Sequence, residues 1–184
     1  MKALLLHWWW GDSNENWLPW LKRELEKSDI KTFVPDLPNT NNPVLEEQLN
    51  FLENEKYNFL VGHSLGCQLV IKFVEKNNIS NAKIVLVAPT YPNLAEELWK
   101  EILWESYESI EKYYNTQLDF KKINSLNNQI TVFLSDNDPY INMENAKKYY
   151  SNLENIKFIE FSQKGHFNKS AGVLELKEIL DYLK

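Results

Sequence analysis

The segment Phe59-Leu60-Val61-Gly62-His63-Ser64-Leu65-Gly66-Cys67 runs from an apolar stretch into G-x-S-x-G and then into a helical pattern opening at Gln68-Leu69-Val70. A serine on a sharp strand-to-helix turn projects above the strand ends, and flanking glycines lack the Cβ atoms that would clash there. Its oxygen also lies near a helix N-terminus, where backbone NH groups favour developing negative charge. The bland alternative is a glycine-bounded turn with a capping serine. Ser64 is the candidate nucleophile, and a hydroxyl needs a base to take its proton.

The chain has three histidines, His7, His63 and His166. His63 adjoins the serine, so its side chain should diverge across the turn, and His7 ends the first apolar run. His166, in Gln163-Lys164-Gly165-His166-Phe167, follows the last predicted strand and fits the chain order Ser, Asp, His. Leu134-Ser135-Asp136-Asn137-Asp138-Pro139-Tyr140-Ile141 follows the fifth predicted strand and offers two acids. Asp138 suits the D-x-x-[IV] pattern, with Asp136 as the fallback. An oxyanion needs two NH donors. These are expected from Leu65 and from Trp9, with Trp8 the rival. Trp8 and Trp10 border that loop, and Trp99 and Trp104 lie in the long connection after the fourth predicted strand. All four are candidate substrate-binding residues, although tryptophans are as readily core.

Strand-length apolar runs recur at Ala3–Leu6, Thr32–Val34, Phe59–Val61, Ile84–Val87, Ile130–Leu134 and Ile156–Ile159. None alternates cleanly, which suits strands buried on both faces. Between them Trp17, Leu21 and Leu25, then Leu45, Leu49 and Leu52, then Leu69, Phe73 and Val74 fall on helical stripes. Strands alternating with helices imply an α/β fold with a mostly parallel sheet. The connection from Pro92 to Asn128 exceeds the ~10–12 residues of a minimal crossover. It must hold extra helix, either packed on the core or covering a site.

With 184 residues and 43% hydrophobic content, one domain spanning 1–184 is expected. A net charge of -6 with interleaved signs argues against nucleic acid or an anionic membrane as partner. The single cysteine, Cys67, excludes an internal disulfide and reads as a small buried residue. No stretch reaches the ~18 apolar residues of a membrane span, so a cytoplasmic location is expected. Dispersed histidines without H-E-x-x-H disfavour a metallohydrolase, and no phosphate-cradling glycine loop is present, so no cofactor is expected.

His7 to Gly11 followed by Trp17-Leu18-Pro19-Trp20-Leu21, the G-H-S-x-G turn, Asp138-Pro139-Tyr140-Ile141 and Gly165-His166-Phe167 resemble the small serine hydrolases of the YdeN and retinoblastoma-binding protein 9 family, within the α/β-hydrolase superfamily. The resemblance implies a three-layer fold with a six-stranded sheet in order 2-1-3-4-5-6, no large lid domain, and a triad of Ser64, Asp138 and His166. It also implies hydrolysis of an ester-like bond in a small molecule. A peptidase or amidase with the same triad, or a non-catalytic binding protein of this fold, are the competing readings. The chain departs from the family in having Trp8 where a glycine often follows the first loop histidine. It also lacks the L-x-C-x-E segment associated with retinoblastoma-protein binding, so that partner is not expected.

Overall fold

Short apolar runs joined by helical segments can pair only in parallel, because each helix returns the chain to the same end of the sheet. The computed structural model describes residues 1–94 and 107–183. In it β1 (Lys2–Leu6), β2 (Lys31–Phe33), β3 (Phe59–His63), β4 (Lys83–Val87), β5 (Gln129–Ser135) and β6 (Ile156–Phe161) form one sheet in the order β2-β1-β3-β4-β5-β6. Every neighbouring pair is parallel. The chain leaves β1 toward β2 and returns on the other side to β3. That reversal makes the carboxyl ends of β1 and β3 a topological switch point, where ligands of open α/β sheets bind.

The inner strands β1, β3, β4 and β5 are buried at successive positions on both faces. The expectation of two-sided burial fails at the edges. Short β2 and half-exposed β6 each have one neighbour, so less of their surface is covered. Among the described residues the α-helices are α1 (Leu18–Glu26), α2 (Leu45–Phe51), α3 (Leu65–Asn77), α4 (Tyr107–Tyr114), α5 (Phe120–Ser125), α6 (Met143–Tyr150) and α7 (Leu180–Leu183). Trp17, Leu21 and Leu25 are all buried along α1, which starts with Pro19 in its first turn, where a missing N–H costs nothing. Helix α3 is buried along most of its length and packs on β3 and β1. The extra helix expected between Pro92 and Asn128 is present as α4 and α5, with Leu94 and Ile110 in the core. The helical chain after Phe167 is mostly 3₁₀, Lys169–Ala171 and Lys177–Ile179, because Gly172 in the left-handed region stops the first turn.

Residues in the left-handed region sort by sheet edge. Besides Asn, Asp and Gly, the described residues with positive φ are Trp10, Ser64, Ala88, Gln163 and Phe167. All follow the carboxyl ends of β1, β3, β4 or β6. The turns leading into the amino ends use Asp29, Asn78, Asn81, Asn127 and Asn155, residue types that tolerate this conformation.

Candidate active site

Ser64 sits between β3 and α3 with φ 54° and ψ -119°, a conformation that costs on the order of 1–3 kcal/mol and must be held by its surroundings. Its backbone N–H donates to the Val87 carbonyl at 2.9 Å, and its carbonyl accepts from the Cys67 N–H at 3.0 Å. A Cβ at Gly62 would lie 2.6 Å from the Cys67 nitrogen, and one at Gly66 would lie 2.5 Å from the His7 carbonyl oxygen. Only glycine permits the tight turn at Gly62 and the close approach of α3 to the loop after β1 at Gly66. That approach sets the Leu65 N–H, at the first turn of α3, beside the loop carrying Trp8 and Trp9.

The loops after β5 and β6 are stitched together by side chains of the first and N–H groups of the second. Asp136 accepts from the Gln163 N–H at 2.9 Å, Ser135 Oγ from the Lys164 N–H at 3.0 Å, and Asn137 from the Gly165 N–H at 2.7 Å. This register delivers His166 to Asp138. Its Nδ1 lies 2.9 Å and 3.1 Å from the two carboxylate oxygens. The Asp138 side chain is only 1% exposed, and Oδ1 also accepts from the N–H groups of Tyr140 and Ile141. A carboxylate buried without such partners would be strongly disfavoured. Nδ1–H faces the carboxylate, so the neutral imidazole carries its lone pair on Nε2. Asp136 is exposed and faces the other way, accepting from Ser162 Oγ at 2.7 Å. Those hydrogen bonds hold its carboxyl below the usual range.

Two further histidines support the site. The His63 ring lies against Trp8 at 4.8 Å between centroids and His166 at 5.1 Å, and its Nε2–H donates to the His166 carbonyl at 2.8 Å. Buried Trp17 donates to the next carbonyl, that of Phe167, at 2.9 Å. His7 accepts the Leu37 N–H at Nε2, so its proton is on Nδ1, which donates to the Trp8 carbonyl at 2.8 Å. Gly11 N–H also reaches that carbonyl. Because the peptide is planar and trans, fixing the Trp8 C=O also fixes the direction of the Trp9 N–H.

Burial holds His7 below its usual pKa, and holds His63 well below, with the nearby His166 adding to the effect. A histidine kept neutral in the fold is protonated first in the unfolded chain. Its stabilising contribution is therefore complete above about pH 6.5 and is lost as pH falls below it, by up to about 1.4 kcal/mol per pH unit for each ring. Urea midpoints measured from pH 8 down to about 5.5 should be level and then decline below about 6.5. Constant midpoints across that range would show that neither ring is kept neutral by the fold.

Ser64 and His166 line one cleft of about 410 Å³. Trp8, Trp9 and Trp10 line it as well, and exposed Trp10 stacks on Trp9 at 4.3 Å at its mouth. Trp99 and Trp104 lie outside the described residues, although Leu94 and Tyr114, nearer the ends of that connection, both reach the cleft. Sequence reasoning passed over Glu15, Thr90, Tyr140 and Asn168, which also line it. Tyr140 and Asn168 stand two residues after Asp138 and His166, a proximity that could have flagged them; Glu15 carried no signal. Buried Cys67, with its thiol pushed well up by burial, donates to the Val87 carbonyl. Among the described residues no group of His, Cys, Asp and Glu could hold a metal ion, and no helix is long and apolar enough to cross a membrane.

The chain is 23% identical to the hydrolase YdeN of Bacillus subtilis (strain 168) over 189 residues, covering 99% of this chain and 94% of that protein. The crystal structure of the B. subtilis ydeN gene product superposes with a TM-score of 0.83 at 22% identity, covering 98% of this chain and 95% of that one. Est1E from Butyrivibrio proteoclasticus, solved with ferulic acid bound, gives a TM-score of 0.70 at 13% identity over 98% of this chain and 88% of its own. The model of the serine hydrolase family matches residues 3–184. With an α/β-hydrolase sheet and this match over nearly its whole length, the chain belongs to the serine hydrolase family.

Proposed function

We propose that the protein is a carboxylic-ester hydrolase working through an acyl-Ser64 intermediate, with His166 as base and Asp138 as the acid that orients it. The observation that carries this reading is the buried Asp138–His166 contact beside a strained serine in one cleft. Ser64 Oγ attacks the ester carbonyl as its proton passes to His166 Nε2. The tetrahedral oxyanion is held by the N–H groups of Leu65 and Trp9. Collapse expels the alcohol, which takes the proton back from His166. Water, deprotonated by the same imidazole, then attacks the acyl-enzyme, and collapse releases the carboxylic acid and free Ser64. Asp138 holds the ring in the tautomer this requires and supports its transient charge.

The same proposal places one domain over residues 1–184, a small-molecule substrate and a cytoplasmic site of action. Fluorophosphonate labelling of Ser64, together with turnover of p-nitrophenyl esters, tests it directly. A folded protein that neither labels nor turns over esters is a binding protein of this fold, and one faster on matched amides is an amidase.

The cleft is largely apolar in character, with Leu94 and Ile141 in the lining beside the tryptophans. Each buried CH₂ contributes roughly 0.8 kcal/mol, which is about fourfold in kcat/KM per methylene when the contact forms in the transition state. A series of p-nitrophenyl esters of increasing acyl length should rise by that step and then plateau as the cleft fills. A flat series would mean that the rings and aliphatic side chains do not bind the acyl group.

A further inference from the structure

Ester hydrolysis alone does not require the charge pattern of the cleft. Trp8, Trp9, Trp10, Tyr114 and Tyr140 surround it, Glu15 is the one carboxylate among its described lining residues, and neither Lys nor Arg is among them. The aromatic walls converge on the base. The Trp8 ring lies at 6.4 Å from the His166 ring at an interplanar angle of 24°, and the Tyr140 ring meets it edge-on at 5.0 Å and 85°.

Glu15 stands at the seam between the loop after β1 and the loop of His166. Its neighbour Asn16 accepts the Lys169 N–H at 2.8 Å, and Asn168 completes that side of the lining. The Trp8 indole and the Glu15 carboxylate line the same cleft, and Glu15 is half-buried there. A general acid must reach the leaving oxygen. The part of an ester lying along the His166 loop is therefore its alcohol part, and that part passes between Trp8, Tyr140 and Glu15. Aromatic faces attract ammonium groups most strongly where water is excluded, and a carboxylate beside them offsets the desolvation of the cation.

We propose that Glu15, with the Trp8 and Tyr140 rings, selects esters whose alcohol part carries an ammonium group. This rests on the reading of the cleft as an ester-hydrolase site. Lys169 acts on Glu15 by charge but is exposed and is not among the described residues of the lining.

The test compares butyrylcholine with 3,3-dimethylbutyl butyrate, which has the same shape with carbon in place of the charged nitrogen. The wild-type chain should favour the cationic ester in kcat/KM by at least about tenfold, and Glu15→Gln should reduce that ratio at least fivefold or so, whatever the absolute rates. A wild-type ratio near or below unity overturns the proposal and leaves ester hydrolysis standing. So does hydrolysis of neither ester by a chain that turns over p-nitrophenyl butyrate. A wild-type preference that survives Glu15→Gln overturns the assignment to this carboxylate. If Ser64 does not label with fluorophosphonate and no ester is hydrolysed, the ester reading fails and the selectivity fails with it.

Discussion

Ser64→Ala is expected to abolish fluorophosphonate labelling and to lower kcat by roughly 10⁴ or more, leaving only substrate binding and oxyanion stabilisation. The substitution isolates chemistry from folding. Alanine keeps the Cβ of serine, so the strained backbone at φ 54° is as costly in the variant as in the parent. The clasp of the turn, Ser64 N–H to Val87 and Cys67 N–H to the Ser64 carbonyl, uses only main-chain atoms and survives. Thermal unfolding of the variant should therefore stay within a few degrees of the parent. Undiminished turnover by a folded Ser64→Ala protein would remove the acyl-serine mechanism.

Asp138→Asn should cost about 10⁴ in kcat, against less than about tenfold for Asp136→Asn. An asparagine at 138 can turn its amide NH₂ toward Nδ1 and favour the wrong tautomer, and it cannot support the imidazolium with a full charge. It also faces the Tyr140 and Ile141 N–H groups, which need an acceptor, so no orientation satisfies all partners as well as the carboxylate does. At 136 the demands are lighter. The side chain accepts from the Gln163 N–H and the Ser162 hydroxyl at the surface, and an amide oxygen can keep the first of these. Steady-state kinetics on one ester decides the matter: the reverse ranking would make Asp136 the catalytic acid, and two small losses would place the acid elsewhere.

The strand-to-helix turn and the six strand positions were legible because each rests on a local constraint, whereas the sheet order was implied only by the family resemblance. Glycines on either side of Ser64, unbroken apolar runs and helical stripes through Trp17 or Leu69 each restrict the chain wherever they occur. The pairing of Asp138 rather than Asp136 with His166 was legible only as a preference. It depends on a ladder from Ser135, Asp136 and Asn137 to a loop about 28 residues away, and spacing along the chain carries no record of such a ladder. The two supporting histidines were harder still. His63 was expected to diverge from the serine, and what it reaches, the carbonyl of His166, is a backbone group that any residue would supply. Glu15 was invisible because a carboxylate in a polar loop looks like surface until the fold brings the His166 loop beside it.

The division of left-handed residues between the two sheet edges bears on how this enzyme can acquire new substrates. Of the described residues lining the cleft, only Trp10 and Ser64 have positive φ. At those two positions a new side chain, β-branched ones above all, adds backbone strain to any gain in binding. Glu15, Thr90, Leu94, Tyr140, Ile141 and Asn168 have ordinary backbone conformations and carry no such penalty. Mutation can rewrite what the cleft recognises at those six positions while the turn that presents the serine stays intact. The turns at the opposite edge, built on Asn and Asp, hold the strands in place and do not line the cleft. Thr90, Leu94 and Ile141 are also buried and answer to packing, so a library confined to the other three, Glu15, Tyr140 and Asn168, should yield altered preferences with few unfolded members.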